Sequence, residues 1–177
     1  MIVFDPTKCV SCNNCVRVCP SVEANIVEHD ENGKAVFNIN PDKCIDCGAC
    51  VKVCSHKSRT YVDDTERFWE DLKKGVKIVG ICAPAIKVSF DGCWRGVLEY
   101  VSQKGVDRIY DVSFGADICT WAHLRYLEQH PGAKLISQPC PAIVNYIKKY
   151  CQKALKNLSP VHSPMLCTAI YLRKYLG

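Results

Sequence analysis

Residues 9–19 read CVSCNNCVRVC, and residues 44–54 read CIDCGACVKVC. Both stretches have the spacing C-x2-C-x2-C-x3-C, and each position of the first has a counterpart 35 residues later in the second. The similarity extends upstream, where residues 4–8 read FDPTK and residues 39–43 read INPDK. The chain therefore contains an internal repeat, and the cysteines of that repeat decide how its first third folds.

The composition limits the class of protein. The chain has 177 residues, 48% hydrophobic and 23% charged, which is typical of a globular protein. No apolar run approaches the ~18–20 residues that cross a bilayer, and no apolar signal segment precedes the first cysteines, so we expect neither a membrane span nor export. The formal charge of +5 is modest and the basic residues are scattered, which argues against a nucleic-acid binder. In a chain that is not exported, 14 cysteines are expected to hold metal rather than to form disulfides.

The spacing within the cysteine runs favours iron–sulfur clusters over zinc. Two x2 steps wrap a short loop around one corner of a cubane, so that three thiolates reach three irons. The x3 step enters a short helix and carries the fourth cysteine toward a second cluster. Two tetrahedral zinc sites are the alternative, because C-x2-C also occurs in zinc knuckles, but such sites have no use for a third cysteine at x2.

Both runs resemble those of bacterial two-cluster ferredoxins, and the resemblance implies two 4Fe–4S clusters. The implied ligands are Cys9, Cys12, Cys15 and Cys54 for one cluster, and Cys44, Cys47, Cys50 and Cys19 for the other. Ser55 replaces a proline of the ferredoxin pattern, and we expect cluster binding to survive because that proline is not a ligand. His56 could hydrogen-bond a cluster sulfur, and the alternative is a solvated residue at a helix end.

Residues 1–60 are predicted to form an α+β ferredoxin-like two-cluster module. Residues 30–34 (DENGK) indicate a turn, and residues 35–39 (AVFNI) alternate apolar and polar side chains like a short hairpin strand. A module of this size buries only a small core, so its clusters are expected to stabilise it.

Residues 61–177 are predicted to form an α/β domain with a small parallel sheet covered by helices. Short connections between alternating strands and helices are typical of such a sheet. No Gly-x-Gly-x-x-Gly and no Walker motif is present, so nothing in this part specifies a nucleotide. The strand signals lie at 76–82, 106–112 and 133–137, and the helix signals at 64–75, 93–104, 116–129, 141–150 and 164–176.

Four further cysteines follow the predicted strands or lie in the first turns of the last helix: Cys82, Cys119, Cys140 and Cys167. Ligands of parallel sheets bind at the carboxyl ends of the strands, so the first three are expected to meet at one sheet edge. The four cysteines could hold a third iron–sulfur cluster, and the alternative is that they are small core residues. Cys93 and Cys151 are expected to be packing residues.

Beyond the cysteine repeat, the chain resembles the iron-only (two-iron) hydrogenases. The resemblance lies in residues 83–86 (APAI), 111–117 (DVSFGAD), 140–146 (CPAIVNY) and 163–165 (SPM), which occur in the order of that family. It covers nearly the whole chain and is closest to the divergent, sensory-like branch. It implies a ferredoxin-type domain joined to the N-terminal part of the catalytic domain of the large subunit.

In that family the catalytic H-cluster is a 4Fe–4S cubane bridged through a cysteine to a two-iron subsite. Cys140 matches the first cubane ligand, whereas Pro139 stands where catalytic members have a proton-relaying cysteine. Acidic relay residues of the family's long helix align near His123 and Tyr126, and Ser163 matches a relay serine. The motifs that carry the other three cubane ligands come after Gly177 in the family's order, so we do not expect this chain alone to build the H-cluster in the family's way.

Three explanations remain open: a piece of a longer hydrogenase, a truncated homologue that transfers electrons, or a chain that has rebuilt a cluster from its own cysteines. The favoured function is electron transfer through two 4Fe–4S clusters to or from a hydrogenase-type site. The alternatives are hydrogenase activity when a further part or partner completes the chain, and a redox-sensing signalling module with a third cluster. The expected partners are redox proteins, such as a ferredoxin or subunits of a hydrogenase or other oxidoreductase, in an anaerobic cytoplasm.

Overall fold

Short strands and one-turn helices frame the repeated cysteine runs in the computed structural model, which describes residues 1–29, 31, 33 and 35–176. Up to residue 63 the elements are β1 (Ile2–Phe4), a 3-10 helix (Pro6–Lys8), α1 (Asn14–Arg17), β2 (Asn25–His29), β3 (Ala35–Ile39), α2 (Ala49–Val53) and β4 (Arg59–Tyr61). Of the predicted turn at 30–34, Asp30, Asn32 and Lys34 lie outside the described residues. Gly33 in this turn has a φ of +74°, a conformation that favours glycine.

The rest of the chain is mainly helical. Its elements are α3 (Thr65–Lys73), β5 (Val79–Cys82), α4 (Ile86–Ser89), α5 (Trp94–Gln103), β6 (Arg108–Asp111), α6 (Ser113–Gln129), α7 (Pro141–Tyr150), a 3-10 helix (Gln152–Asn157) and α8 (Pro164–Tyr175). Pro141 and Pro164 each stand in the first helical turn, where a backbone N–H is not needed. Within the described part of the chain, no helix combines the length and the apolar character that a bilayer crossing requires.

The chain divides into two structural units. The first combines Met1–Asp63 with Cys140–Lys156, and the second combines Asp64–Pro139 with Asn157–Gly177. Helix α7 therefore belongs with the cysteine repeat and not with its neighbours in the sequence. The predicted domain division between residues 60 and 61 stays a prediction.

The first unit contains two antiparallel strand pairs. β1 pairs with β4, with Ile2 opposite Tyr61, and β2 pairs with β3, with Asn25 opposite Ile39. Each cysteine run is preceded by the same kind of turn. Asp5 Oδ1 accepts a hydrogen bond from the backbone N–H of Thr7 at 3.0 Å, and its repeat counterpart Asn40 accepts from Asp42 at 3.0 Å.

The core of the first unit is small, and α7 contributes to it. Its buried apolar side chains are those of Ile2, Ala24, Phe37, Ile45 and Ile147. Polar side chains of α7 bind the loop that enters the second cysteine run. Asn145 Nδ2 donates to Ile45 O at 3.3 Å, and Tyr150 OH donates to Lys43 O at 2.8 Å.

The second unit is built on a parallel strand pair. β5 and β6 pair with Val79 opposite Arg108 and Cys82 opposite Asp111. Helix α5 packs against β6, and α8 packs against β5. The predicted mixed α/β class with a small parallel sheet is thus confirmed in its coarse form.

The predicted third strand, at residues 133–137, does not join this sheet. Among the described residues, Ile136 forms only a single parallel bridge, with Leu158. Side chains fasten the two segments to each other. Asn157 Nδ2 donates to Lys134 O at 2.8 Å, and Gln138 Nε2 donates to Ser159 O. These bonds hold the segment to residues 157–159 instead of to β6, so the expectation of a third sheet strand was wrong.

Helices α6 and α8 pack closely at a glycine. A Cβ atom at Gly115 would collide with Pro164 O and Thr168 Oγ1, so only glycine allows this approach. Thr168 is 1% exposed, and its hydroxyl donates to Pro164 O at 3.0 Å. Gly115 therefore sets the separation of the two helices.

Candidate metal centres

Four cysteine side chains line one cavity, which we call the first cysteine cavity. These side chains belong to Cys9, Cys12, Cys15 and Cys54. The first three come from the loop before α1 and from α1 itself, and the fourth comes from the residue that ends α2. The x3 step of the second run therefore carries its last cysteine to the cavity of the first run.

A second cavity is lined by the other four cysteines of the repeat, and we call it the second cysteine cavity. These are Cys19, Cys44, Cys47 and Cys50. The two sets are the ones that the ferredoxin resemblance groups together. Ligation of clusters by these cysteines stays a prediction.

Backbone conformation explains how each loop turns its cysteines inward. Ser11 and Asn13 separate the cysteines of the first run and have φ values of 57° and 61°. Asp46 and Gly48, their counterparts in the second run, have φ values of 58° and 78°. Alternating left-handed residues wrap each loop around its cavity, and short polar residues and glycine tolerate that conformation best.

The repeat also determines what else lines the cavities. Phe37, His56 and Arg59 line the first, and their counterparts Ile2, Ser21 and Ala24, each 35 residues earlier, line the second. The first unit thus has an internal pseudo-twofold relation, and its two halves differ in charge at the Ala24 and Arg59 positions.

The donor set and the buried polar atoms fit a sulfur-rich group larger than a single ion. Within the described residues, no three His, Cys, Asp or Glu side chains lie close enough together to hold one metal ion. The cysteines surround open space instead, as ligands of a cubane must. Two buried polar atoms in the described part of the chain lack hydrogen-bond partners, Ser21 Oγ and Arg59 Nη1. Each belongs to a residue that lines one of the two cavities.

Burial and nearby charges act in opposite directions on the thiols. Burial raises the pKa of the Cys50 thiol, and the Arg59 guanidinium acts against that shift. Burial also raises the pKa of the Cys44 thiol, while a hydrogen bond from the backbone N–H of Asp46 acts against it. Since the thiolate is the form that binds metal, Arg59 and this N–H both favour the binding form.

Arg59 is the functional candidate that sequence reasoning missed. It is 2% exposed, its Nη2 lies 3.7 Å from Cys15 Sγ, and its guanidinium stacks on the Phe4 ring at 4.4 Å from the centroid. The repeat offset contained the signal, because the equivalent position in the first copy is Ala24. An arginine in place of a buried alanine gives the two copies different charges at this position.

The other candidate cysteines are spread over both units. Cys140 is exposed at the N-cap of α7 in the first unit. In the second unit, Cys82 ends β5, while Cys119 Sγ lies 3.5 Å from His123 Nδ1 within α6. Cys167, in α8, has its Sγ 3.6 Å from His162 O. A third cluster on these four cysteines stays a prediction.

Several other expectations can be compared with the structure. His123 bonds to Cys119 O at 2.8 Å and to Ser159 Oγ at 2.9 Å, so both ring nitrogens have partners. Ser163 is the N-cap of α8 and accepts from the backbone N–H of Leu166 at 3.3 Å. Cys93 is exposed at the N-cap of α5, so its expected packing role was wrong.

Two family models match the chain. Residues 1–55 match a 4Fe-4S dicluster domain. Residues 76–177, more than half of the chain, match the iron only hydrogenase large subunit, C-terminal domain. The matches agree with the resemblance found in the cysteine runs and in the later motifs. The chain belongs to the iron-only hydrogenase family.

Proposed function

We propose that this chain is an electron-transfer protein of the iron-only hydrogenase family with two 4Fe–4S clusters. Cys9, Cys12, Cys15 and Cys54 would hold one cluster, and Cys19, Cys44, Cys47 and Cys50 the other. The single observation that carries the proposal is that each cavity is lined by four cysteines, three from one run and one from the other.

The clusters supply one-electron reduction and oxidation when bound, and the protein binds them and determines their surroundings. Eight cysteine side chains hold the metal in place, and the apolar side chains of Ile2 and Phe37 limit access of water to the cavities. The buried Arg59 offers N–H groups beside the first cavity. Redox proteins are the expected partners, and a hydrogenase-type site is where the electrons go or come from.

Iron analysis tests the proposal directly. Anaerobic reconstitution should give close to eight iron and eight sulfide per chain, four of each per cluster. Cys12→Ala and Cys47→Ala, which each remove one ligand from a different cavity, should each lose about half of the iron. Cys93→Ala is the matched control, because Cys93 is exposed and lines neither cavity, and it should keep the full content.

Three results would count against parts of the proposal. Zinc in place of iron, with no acid-labile sulfide, would overturn it. Well over eight iron per chain would favour the additional cluster on Cys82, Cys119, Cys140 and Cys167. Hydrogen uptake with a dye acceptor, measured on a chain with intact clusters, would show catalysis instead of electron transfer alone.

A further inference from the structure

We propose that Arg59 raises the reduction potential of the cluster in the first cysteine cavity above that of the cluster in the second. The first electron that the chain accepts then resides in the first cavity. This proposal rests on the two-cluster function proposed above and adds the order in which the two clusters are reduced.

The placement of Arg59 carries the argument. Its side chain is 2% exposed, so water screens its charge poorly. Nη2 lies 3.7 Å from Cys15 Sγ, and Nη1 is buried without a hydrogen-bond partner among the described residues. A buried guanidinium is costly unless something compensates its charge. A cluster with four thiolates beside it supplies that compensation.

The pseudo-twofold relation provides an internal comparison. Ala24 occupies the position equivalent to Arg59, is 2% exposed and lines the second cavity without any charge. Several other lining residues occupy counterpart positions of the repeat, with Ile2 matching Phe37 and Ser21 matching His56. The cation is thus the main difference between two otherwise similar cavities.

A second pair of equivalent positions adds to the difference in the same direction. Ser11, in the first loop, is neutral, whereas its counterpart Asp46 has its Oδ1 4.0 Å from Cys44 Sγ. The N-terminal ammonium lies 4.0 Å from Asp46 Oδ1 and offsets part of this charge. Lys149 also reaches the second loop, through Cys44 O, but it is exposed and therefore screened by salt.

The effect on potential follows from electrostatics. Reduction moves one electron from the reductant to a cluster core, which gains one negative charge without forming or breaking bonds. A nearby buried cation stabilises the reduced core, and a nearby carboxylate destabilises it. Hydrogen bonds to cluster sulfur raise the potential further. Arg59 supplies both a cation and N–H donors, and it does so at the first cavity.

The test is an anaerobic redox titration with dithionite, followed by electron paramagnetic resonance. The wild-type chain should show two midpoints. Arg59→Met, which keeps the length but loses the charge, should lower the higher midpoint by at least about 59 mV, a tenfold change for a one-electron couple. It should lower the other midpoint by a smaller amount, because Arg59 also acts on the Cys50 thiol of the second cavity. Arg59→Lys keeps the charge, so it should lower the higher midpoint by less than half as much as Arg59→Met does.

Three further variants make the result independent of how well Arg59→Met assembles. Asp46→Asn should raise the lower midpoint and leave the higher one unchanged. Cys47→Ala, which retains the first cluster, should keep the higher midpoint, and Cys12→Ala should keep the lower one.

Clear outcomes separate this proposal from the function on which it rests. A wild-type chain without iron and sulfide overturns the two-cluster function. If the wild-type chain holds two clusters, an unchanged higher midpoint in a fully loaded Arg59→Met protein overturns the role of Arg59. The reverse assignment of midpoints in the two cysteine variants overturns the proposed order.

Discussion

At the scale of single residues, the cysteine loops depend on left-handed positions as much as on sulfur. Asn13 and Gly48 occupy equivalent places between the second and third cysteines of their runs, with φ values of 61° and 78°. At Gly48 there is a further constraint, because a Cβ atom would collide with the Tyr61 hydroxyl. Gly48 therefore faces a steric limit as well as a conformational one.

Gly48→Ala is expected to destabilise the loaded protein, since a non-glycine residue in the left-handed region costs about 1–2 kcal/mol before any collision is counted. Tyr61→Phe alone should have little effect, because this side chain is half-exposed and the change removes only its hydroxyl. In the Tyr61→Phe background, Gly48→Ala should cost less. The measurement is the thermal midpoint for loss of visible cluster absorbance.

A matched substitution isolates the backbone contribution. Asn13→Gly should change that midpoint little, because glycine accepts the left-handed conformation that Asn13 already has. If Gly48→Ala has the same cost with and without the Tyr61 hydroxyl, the steric part of the explanation is wrong, since contacting residues should be coupled.

At the scale of elements, the second unit depends on how closely α6 and α8 approach. Gly115→Ala should force the helices apart at Pro164 and Thr168, at a cost of roughly 1–3 kcal/mol, the range typical of overpacking. Gly96→Ala is the control within a helix, since nothing lies within 4 Å of its position and alanine should stabilise α5 by about 0.5–1 kcal/mol. Thermal unfolding followed by circular dichroism should shift in opposite directions for the two variants. Equal shifts would contradict this account of the contact.

Local signals predicted the elements better than their pairing. Pro141 marked the start of α7, and the alternation at Ala35–Ile39 marked β3, because each signal acts within its own segment. The third strand failed because Asn157 and Gln138, side chains outside it, decide what residues 133–137 pair with. Such long-range side-chain bonds leave no periodic trace in the sequence.

The candidate sites show the same contrast between what a sequence pattern predicts and what depends on long-range contacts. The resemblance to two-cluster ferredoxins grouped the eight repeat cysteines into the two sets that line the two cavities. Arg59 was missed because nothing local distinguishes it from a surface arginine at a strand end. Its guanidinium stacks on the ring of Phe4, which lies more than fifty residues away in the sequence.

At the scale of the whole molecule, the first unit is assembled from two separate stretches of chain. Met1–Asp63 holds the cysteine repeat, and Cys140–Lys156 adds α7. The described residues of this unit bury only a few apolar side chains, so we expect metal binding to supply much of its stability. The stability of α7 should therefore follow the metal content and not the helices next to it in the sequence.

Hydrogen exchange followed by mass spectrometry can test this dependence. Removing iron under anaerobic conditions should speed amide exchange at least about tenfold in residues 1–63 and, together with them, in α7. Asn145 and Tyr150 donate hydrogen bonds to Ile45 O and Lys43 O, and these bonds should be lost when the cysteine loop loosens. Helices α6 and α8, which pack on each other in the second unit, should keep their protection. The contrary result would be that α7 stays protected from exchange while residues 1–63 lose their protection. Helix α7 would then be stable without the cysteine loops, and its stability would not depend on the metal content.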